Sequence, residues 1–238
     1  MEAVPRTLQL TLLALVLQTA LGLVLGVFMA ARRNTTAEKG LKILFLGFYS
    51  IPTFYFSYLL IALMSLKLHW LPSANMFSFH LQNAGLARIV LDRASHMVLP
   101  VSVLAIGGAA ALARFTRGSI LDCIKANYIT TAKAKGLSES RILWVHALRN
   151  AMAPILTIIG LGFPFLLGGS FVVEKIFAWP GMGAMAVDAI FARDYPVIMA
   201  SGFIGAVMVV LGNLFADISY AFADPRIKVP DRPSGEER

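Results

Sequence analysis

The chain is short of charge and almost without cysteine. Only 14% of its 238 residues are Asp, Glu, Lys or Arg, and Cys123 is its single cysteine. Water-soluble domains carry about a quarter charged residues, so the deficit argues against a soluble globule. One thiol excludes an intramolecular disulfide and any multi-cysteine metal centre. Also missing are G-x-x-x-x-G-K-[ST], whose amides and Lys would hold nucleotide phosphates, and H-E-x-x-H, which would set two imidazoles on zinc. No two Asp residues lie deep in facing apolar runs, as an intramembrane protease needs. The expectation is a chain with no catalytic residues, no metal and no cofactor of its own.

What is present is apolar: 58% of residues are hydrophobic and the mean hydropathy is +0.72. This composition is that of an integral membrane protein. Crossing a hydrocarbon core of about 30 Å takes about 20 helical residues, and five runs meet that need: 8–31, 41–66, 97–113, 150–173 and 196–222. The expected fold is therefore all-α, a polytopic membrane bundle of about five transmembrane helices. The third run should continue through Arg114 to Arg117, whose long stems reach the interface from within the helix. Gly22, Gly26 and Ala30 recur every four residues on one face, which predicts close approach of a neighbouring helix. Gly202, Gly205 and Gly212 in the last run read as packing positions without that spacing. No pair of broken helices marks the two halves, as inverted-repeat transporters would have.

The formal charge of +8 is unevenly placed. Loop 32–42 holds four Lys and Arg, loop 114–149 seven and the tail after 222 four; loops 67–96 and 174–195 hold three and two, and the N-terminus one. Loops rich in Lys and Arg stay in the cytoplasm, which puts the tail 223–238 inside and Met1 outside, with no cleavable signal ahead of the first run. Nucleic-acid binding fits poorly, because these charges collect between apolar runs. Ala132, Gly136 and Ile142 do match helix-turn-helix spacing, but the loop is tied to membrane at both ends with no room for a third helix.

Loop 114–149 carries Arg114, Arg117, Lys125, Lys133, Lys135, Arg141 and Arg149 against Asp122 and Glu139. Residues 119–135 have few helix breakers, Gly136 can take the left-handed conformation that ends a helix, and Ser138 with Glu139 supplies the cap and first-turn acid of the next. The two helices should meet at an exposed elbow, which physics alone leaves open as a linker or a docking surface. Asn213 and Asp217 lie one turn apart in the last run, either a functional polar pair or an acid paired to a cytoplasmic Arg. His96 and Glu174, near the outer interface, are expected to be satisfied by hydrogen bonds. Trp179-Pro-Gly reads as a re-entrant turn or an interfacial anchor.

The elbow core Ala132-xxx-Gly136, followed by His146-Ala-Leu-Arg-Asn-Ala-Met-Ala-Pro154, resembles the cytoplasmic loop of ABC importer permeases of the dipeptide, oligopeptide and nickel family. Further matches run along the chain: Ser50-Ile-Pro-Thr-Phe54, Trp70-Leu-Pro72, His96-Met-Val-Leu-Pro100, Ala113-Arg-Phe-Thr-Arg117, Phe177-Ala-Trp-Pro-Gly-Met-Gly183, Arg193-Asp-Tyr-Pro196 and Asp224-Pro-Arg226. The superfamily pattern has Glu-Ala-Ala ahead of its glycine and a Pro after it; here stand Thr130-Thr131-Ala132 and Arg149, as is common in the peptide branch. Members usually carry one more N-terminal helix, which is expected to be absent from this chain.

The resemblance implies a type I importer permease of the inner membrane, a single domain over 1–238. It also implies a second permease subunit, two cytoplasmic ATPase subunits, an external substrate-binding protein and a peptide substrate, with nickel-chelate or glutathione cargo as the alternative. By the same resemblance the ATPase-coupling loop is carried by Ala132, Lys133, Lys135, Gly136, Leu137, Ser138 and Arg141. The basic residues fit equally a patch facing lipid headgroups. From another class, an ATP-independent secondary transporter or channel, or a membrane scaffold, stays open.

Overall fold

Leucine, valine and alanine fill the first 31 residues and fold into α1, Ala3–Ala31. The computed structural model describes residues 2–78 and 85–223, and leaves aside the side chains of Leu161, 163–169, 215–217 and 219–223. After α1 the chain turns into α2, Thr36–Ser50, capped by Thr35, whose hydroxyl accepts from the Glu38 amide. α3, Thr53–Leu60, continues into a π-helical stretch, Ile61–Lys67. α4, Leu86–Cys123, is followed by the short α5, Asn127–Ala134, and by α6, Glu139–Arg141. A π-helical stretch, Ile142–Ala147, leads into α7, Leu148–Ile176, then α8, Met182–Ala192, and α9, Tyr195–Ala223.

Four helices among the described residues are long and apolar enough to cross a membrane, and the pair Thr36–Ser50 and Thr53–Lys67 meets that test only when its two halves are taken together. That pair corrects the second expected run: instead of one helix over 41–66, α2 and α3 meet at 104°. The cause is local. Pro52 has no N–H to continue the ladder and disfavours helical geometry in the residue before it, and Ile51 is extended at φ −81°, ψ 123°. The third run is longer than expected at both ends, beginning at Leu86 and passing through Arg114 and Arg117 to Cys123. The run 119–135 is not one helix: the chain breaks over 124–126 before α5 begins.

α1 and α4 form the most extensive helix pair, and α7 packs against both. The small-residue face of α1 is what lets α4 in. A Cβ on Gly22 would lie 2.7 Å from the Leu112 side chain, and one on Gly26 would lie 2.5 Å from Thr116 Cβ and 2.8 Å from the Ala113 carbonyl oxygen. In contrast, a Cβ on Gly202 or Gly205 would meet nothing within 4 Å among the described residues. The core falls into two clusters, named after the orientation expected from the charges: an outer one around Leu10, Met97, Leu104, Val173 and Trp179 and an inner one around Val27, Leu112, Ile120, Ile129, Ile142 and Ile155. Near the inner cluster the Glu38 carboxylate, almost fully buried, pairs with Arg117 and with Lys42 at 2.8 Å, tying α2 to α4.

Candidate functional site

The elbow is built on a helix ending of the Schellman type. The Gly136 N–H donates to the Lys133 carbonyl at 2.9 Å and the Leu137 N–H reaches back to the Ala132 carbonyl at 3.3 Å, which satisfies the last carbonyls of α5. The reversal needs a left-handed residue, and Gly136 takes φ 72°. Ser138 then caps α6, its hydroxyl accepting from the Arg141 amide at 3.4 Å.

The candidate residues divide into two sets. Lys133, Lys135, Gly136, Ser138 and Arg141 are exposed together at the turn. Ala132 is not on that surface: it is buried with Ile129 in the inner cluster, where α5 packs against the π-helical stretch Ile142–Ala147, and Leu137 packs half-buried against the same cluster. The elbow therefore has an outward polar face and an inward apolar face continuous with the membrane helices. A Cβ on Gly136 would meet nothing within 4 Å among the described residues, so that side of the turn is open to them.

Asn213 is exposed on α9, and the side chain of Asp217 lies outside the described residues, as does the whole tail from 224. The two polar residues expected at the outer end are hydrogen bonded. His96 Nδ1 sits 2.9 Å from the Asp92 carbonyl oxygen. Glu174, fully buried, accepts from the Thr7 hydroxyl at 2.8 Å and from the Ala184 amide at 3.0 Å, while the Thr7 hydroxyl in turn accepts from the Met182 amide. Trp179 is not an interfacial anchor; it has no exposed surface, and its indole N–H donates to the Arg6 carbonyl at 3.1 Å. The Thr7–Glu174, Thr7–Met182 and Arg6–Trp179 contacts link residues more than 160 positions apart, which no local pattern announces.

A third region was not singled out by the sequence. A cavity of about 600 Å³ opens between α1, the α2–α3 bend, α4 and α7, with Gln18, Phe48, Phe56, Leu104, Gly108 and Gly162 in its wall. Gln18 is the one carboxamide there. The signal was present as a lone amide in the middle of a run of leucine, valine and alanine, where an unpaired polar group is costly.

The comparisons with known proteins agree with this architecture. Residues 22–229 match the family described as binding-protein-dependent transport system inner membrane component. The oligopeptide transport system permease protein AppB of Bacillus subtilis (strain 168) is 44% identical over 229 residues, 96% of this chain and 71% of the relative. The di/tripeptide transport system permease protein DppB of Pseudomonas aeruginosa (strain UCBPP-PA14) is 38% identical over 94% of this chain and 70% of its own length. The glutathione transport system permease protein GsiC of Escherichia coli (strain K12) is 39% identical over 93% and 68%. Among solved structures, a chain of the MetNI methionine ABC transporter in an inward-facing conformation superposes with a TM-score of 0.76 at 17% identity, covering 94% of this chain and 95% of that one. At that identity the likeness speaks for the fold.

Proposed function

We propose a role that starts from membership: the chain belongs to the family of binding-protein-dependent transport system inner membrane components. It is a multi-pass membrane permease subunit of an ABC importer. We infer that its cargo is peptide, since the relatives named for oligopeptides and for di- and tripeptides match it at 44% and 38% identity. The relative named for glutathione, itself a small peptide, fits the same class. In this reading residues 1–238 form one transmembrane domain that lines the pathway with a second permease. Two cytoplasmic ATPases drive the pair, and an external binding protein delivers substrate. The N-terminus lies outside and the tail 223–238 inside. ATP chemistry belongs to the partners.

The observation that carries the mechanism is the two-faced elbow. Gly136 and the side chains of Lys133, Lys135, Ser138 and Arg141 face outward, and Leu137 straddles the turn. Ile129 and Ala132 are packed into the inner cluster with Ile120 of α4 and Ile155 of α7. A displacement of the exposed turn by a closing ATPase is handed through that packing to α1, α4 and α7, and the permease becomes a two-state element biased from its inner end. Ala132 then acts from beneath, as support for the turn.

Reconstitution in liposomes tests this. The chain with its second permease, ATPases and binding protein should import peptide only with ATP inside. Uptake by the chain alone, driven by an ion gradient, would instead establish a secondary transporter. The orientation has its own check: a membrane-impermeant thiol reagent should leave Cys123 unmodified in intact cells and reach it once the membrane is opened.

A further inference from the structure

Gln18 lies near the middle of α1 with 7% of its surface exposed; its side chain borders the cavity and makes no hydrogen bond among the described residues. Leaving such a group unpaired in an apolar interior is unfavourable by more than an ordinary hydrogen bond contributes. The neighbouring helices are nevertheless cut to fit it. A Cβ on Gly108 of α4 would fall 2.1 Å from Gln18 Oε1, and one on Gly162 of α7 would fall 3.3 Å from Nε2. Two glycines on separate helices hold the amide at the wall of the cavity of about 600 Å³, which both glycines also line.

The chemistry of the wall narrows what fills it. Its volume is within the roughly 300–1,000 Å³ typical of small-ligand sites. None of the lining residues is charged, and beside Gln18 the polar side chains are the hydroxyls of Tyr49 and Thr53. That wall offers nothing to pair with a carboxylate, a phosphate or a metal ion. A carboxamide presents one acceptor and a two-proton donor in one plane, the complement of a peptide bond, which also has one donor and one acceptor. We propose that this cavity is a passage site for peptides in which Gln18 pairs with a backbone amide of the substrate, with Gly108 and Gly162 positioning it. This rests on the peptide reading above and goes further by naming the contact. The ends of the peptide stay in water, and recognition of an amide common to all peptides makes the site tolerant of side chains.

The test is direct binding to the purified complex of both permeases and ATPases, without the external binding protein. The probes are trialanine and the analogue with ester links in place of its peptide bonds. The wild-type complex should bind trialanine about 3- to 10-fold more tightly than the ester, the worth of one or two hydrogen bonds. Gln18→Met keeps the shape, and should weaken trialanine binding to the level of the ester. Gly108→Ala leaves the amide in the chain but pushes it aside, and should do the same. Equal preference for trialanine in wild type and both variants overturns the proposal, as does a wild-type complex that does not distinguish the probes. Loss of the second permease from the Gln18→Met complex would overturn it too, because the amide would then be an interface strut. Failure of the peptide reading would show elsewhere, in absent ATP-dependent uptake by the wild type.

Discussion

Among the described residues three helices, α5, α7 and α8, end with the same hydrogen-bond pattern, and α5 and α7 do so at opposite ends of the bundle. At the inner end α5 closes through Gly136 and Leu137. At the outer end α7 closes with the Ala178 N–H on the Lys175 carbonyl at 3.3 Å and the Trp179 N–H on the Glu174 carbonyl at 2.8 Å. Both turns place a residue in the left-handed region, Gly136 at φ 72° and Ala178 at φ 47°. The difference is in what surrounds them. The residue after Gly136 is half-buried beside a turn open to solvent, whereas the residue after Ala178 is a tryptophan with no exposed surface, bonded to α1. A non-glycine residue in that conformation carries a strain that its surroundings must offset. The outer end is a clamp fixed by directional bonds, and the inner end is a joint held by apolar packing on one side only. The proposed drive by ATPases at the inner end would have use for that asymmetry.

The largest test removes the clamp. Glu174→Ala orphans the Thr7 hydroxyl and the Ala184 amide, both bonded to that carboxylate. At about 1–3 kcal/mol for each buried group left unpaired, the loss should be read as a large fall in thermal unfolding temperature in detergent. Glu174→Gln, which keeps an acceptor, should lose less. An unfolding temperature equal to wild type for the Ala variant would mean that the clamp bears no load.

Between the two ends lies the seam of α1 and α4. Gly26→Val must displace the Ala113 carbonyl as well as Thr116. Backbone cannot give as a side-chain tip can, so overpacking of about 1–3 kcal/mol is expected. The variant should separate α1 from α4, seen as a lower yield of folded chain. Gly205→Val, whose Cβ meets nothing within 4 Å among the described residues, should leave that yield unchanged.

How much of this asymmetry could be read in the sequence depends on the range of the contacts. The elbow was legible, because a helix ending at Gly136 and a cap at Ser138 are decided by residues within three or four positions. So was the Gly22–Gly26–Ala30 face, since small residues at helical spacing define a groove whatever fills it. The α2–α3 bend was missed although Pro52 stood in plain view. Proline in a membrane helix is often tolerated, as Pro100 is inside α4, so its presence alone did not distinguish a kink from a break. The burial of Trp179 and the cavity at Gln18 depend on helices far apart in the chain. An aromatic residue by a predicted interface and a lone amide in an apolar run have local patterns that fit several destinations.

The joint should respond differently from the clamp. Gly136→Val places a β-branched residue at φ 72° and costs about 1–3 kcal/mol of local strain. No atom of the described residues lies where its Cβ would go. Insertion of the spans should persist while ATPase retention and substrate-stimulated ATP hydrolysis fall at matched membrane expression. Gly136→Ala should be milder. Full coupling in the Val variant would reduce the elbow to a linker. Ser138→Ala is milder again: a good cap contributes about 1 kcal/mol, but this one accepts at 3.4 Å, long for the bond. Its loss should trim coupling slightly, and a defect as large as that of Gly136→Val would mean that Ser138 itself contacts the partner.

The smallest effect is the sharpest comparison, because it carries glycine to the other turn. Ala178→Gly relieves a left-handed alanine, a gain of about 1 kcal/mol. It also frees the unfolded chain by a similar amount, which acts in the opposite sense. Ala178 is exposed, so its methyl group contributes little packing. Stability should therefore change by less than about 0.5 kcal/mol, read as an unfolding temperature within error of wild type. Transport should be preserved as well, because Trp179, Glu174 and the Arg6 carbonyl still dictate the turn. If the added freedom instead lowered the unfolding temperature as much as Glu174→Ala does, the rigidity of the outer end would reside in the backbone of one residue and not in the bonds around it. The contrast between clamp and joint would then come down to which residue occupies the left-handed position.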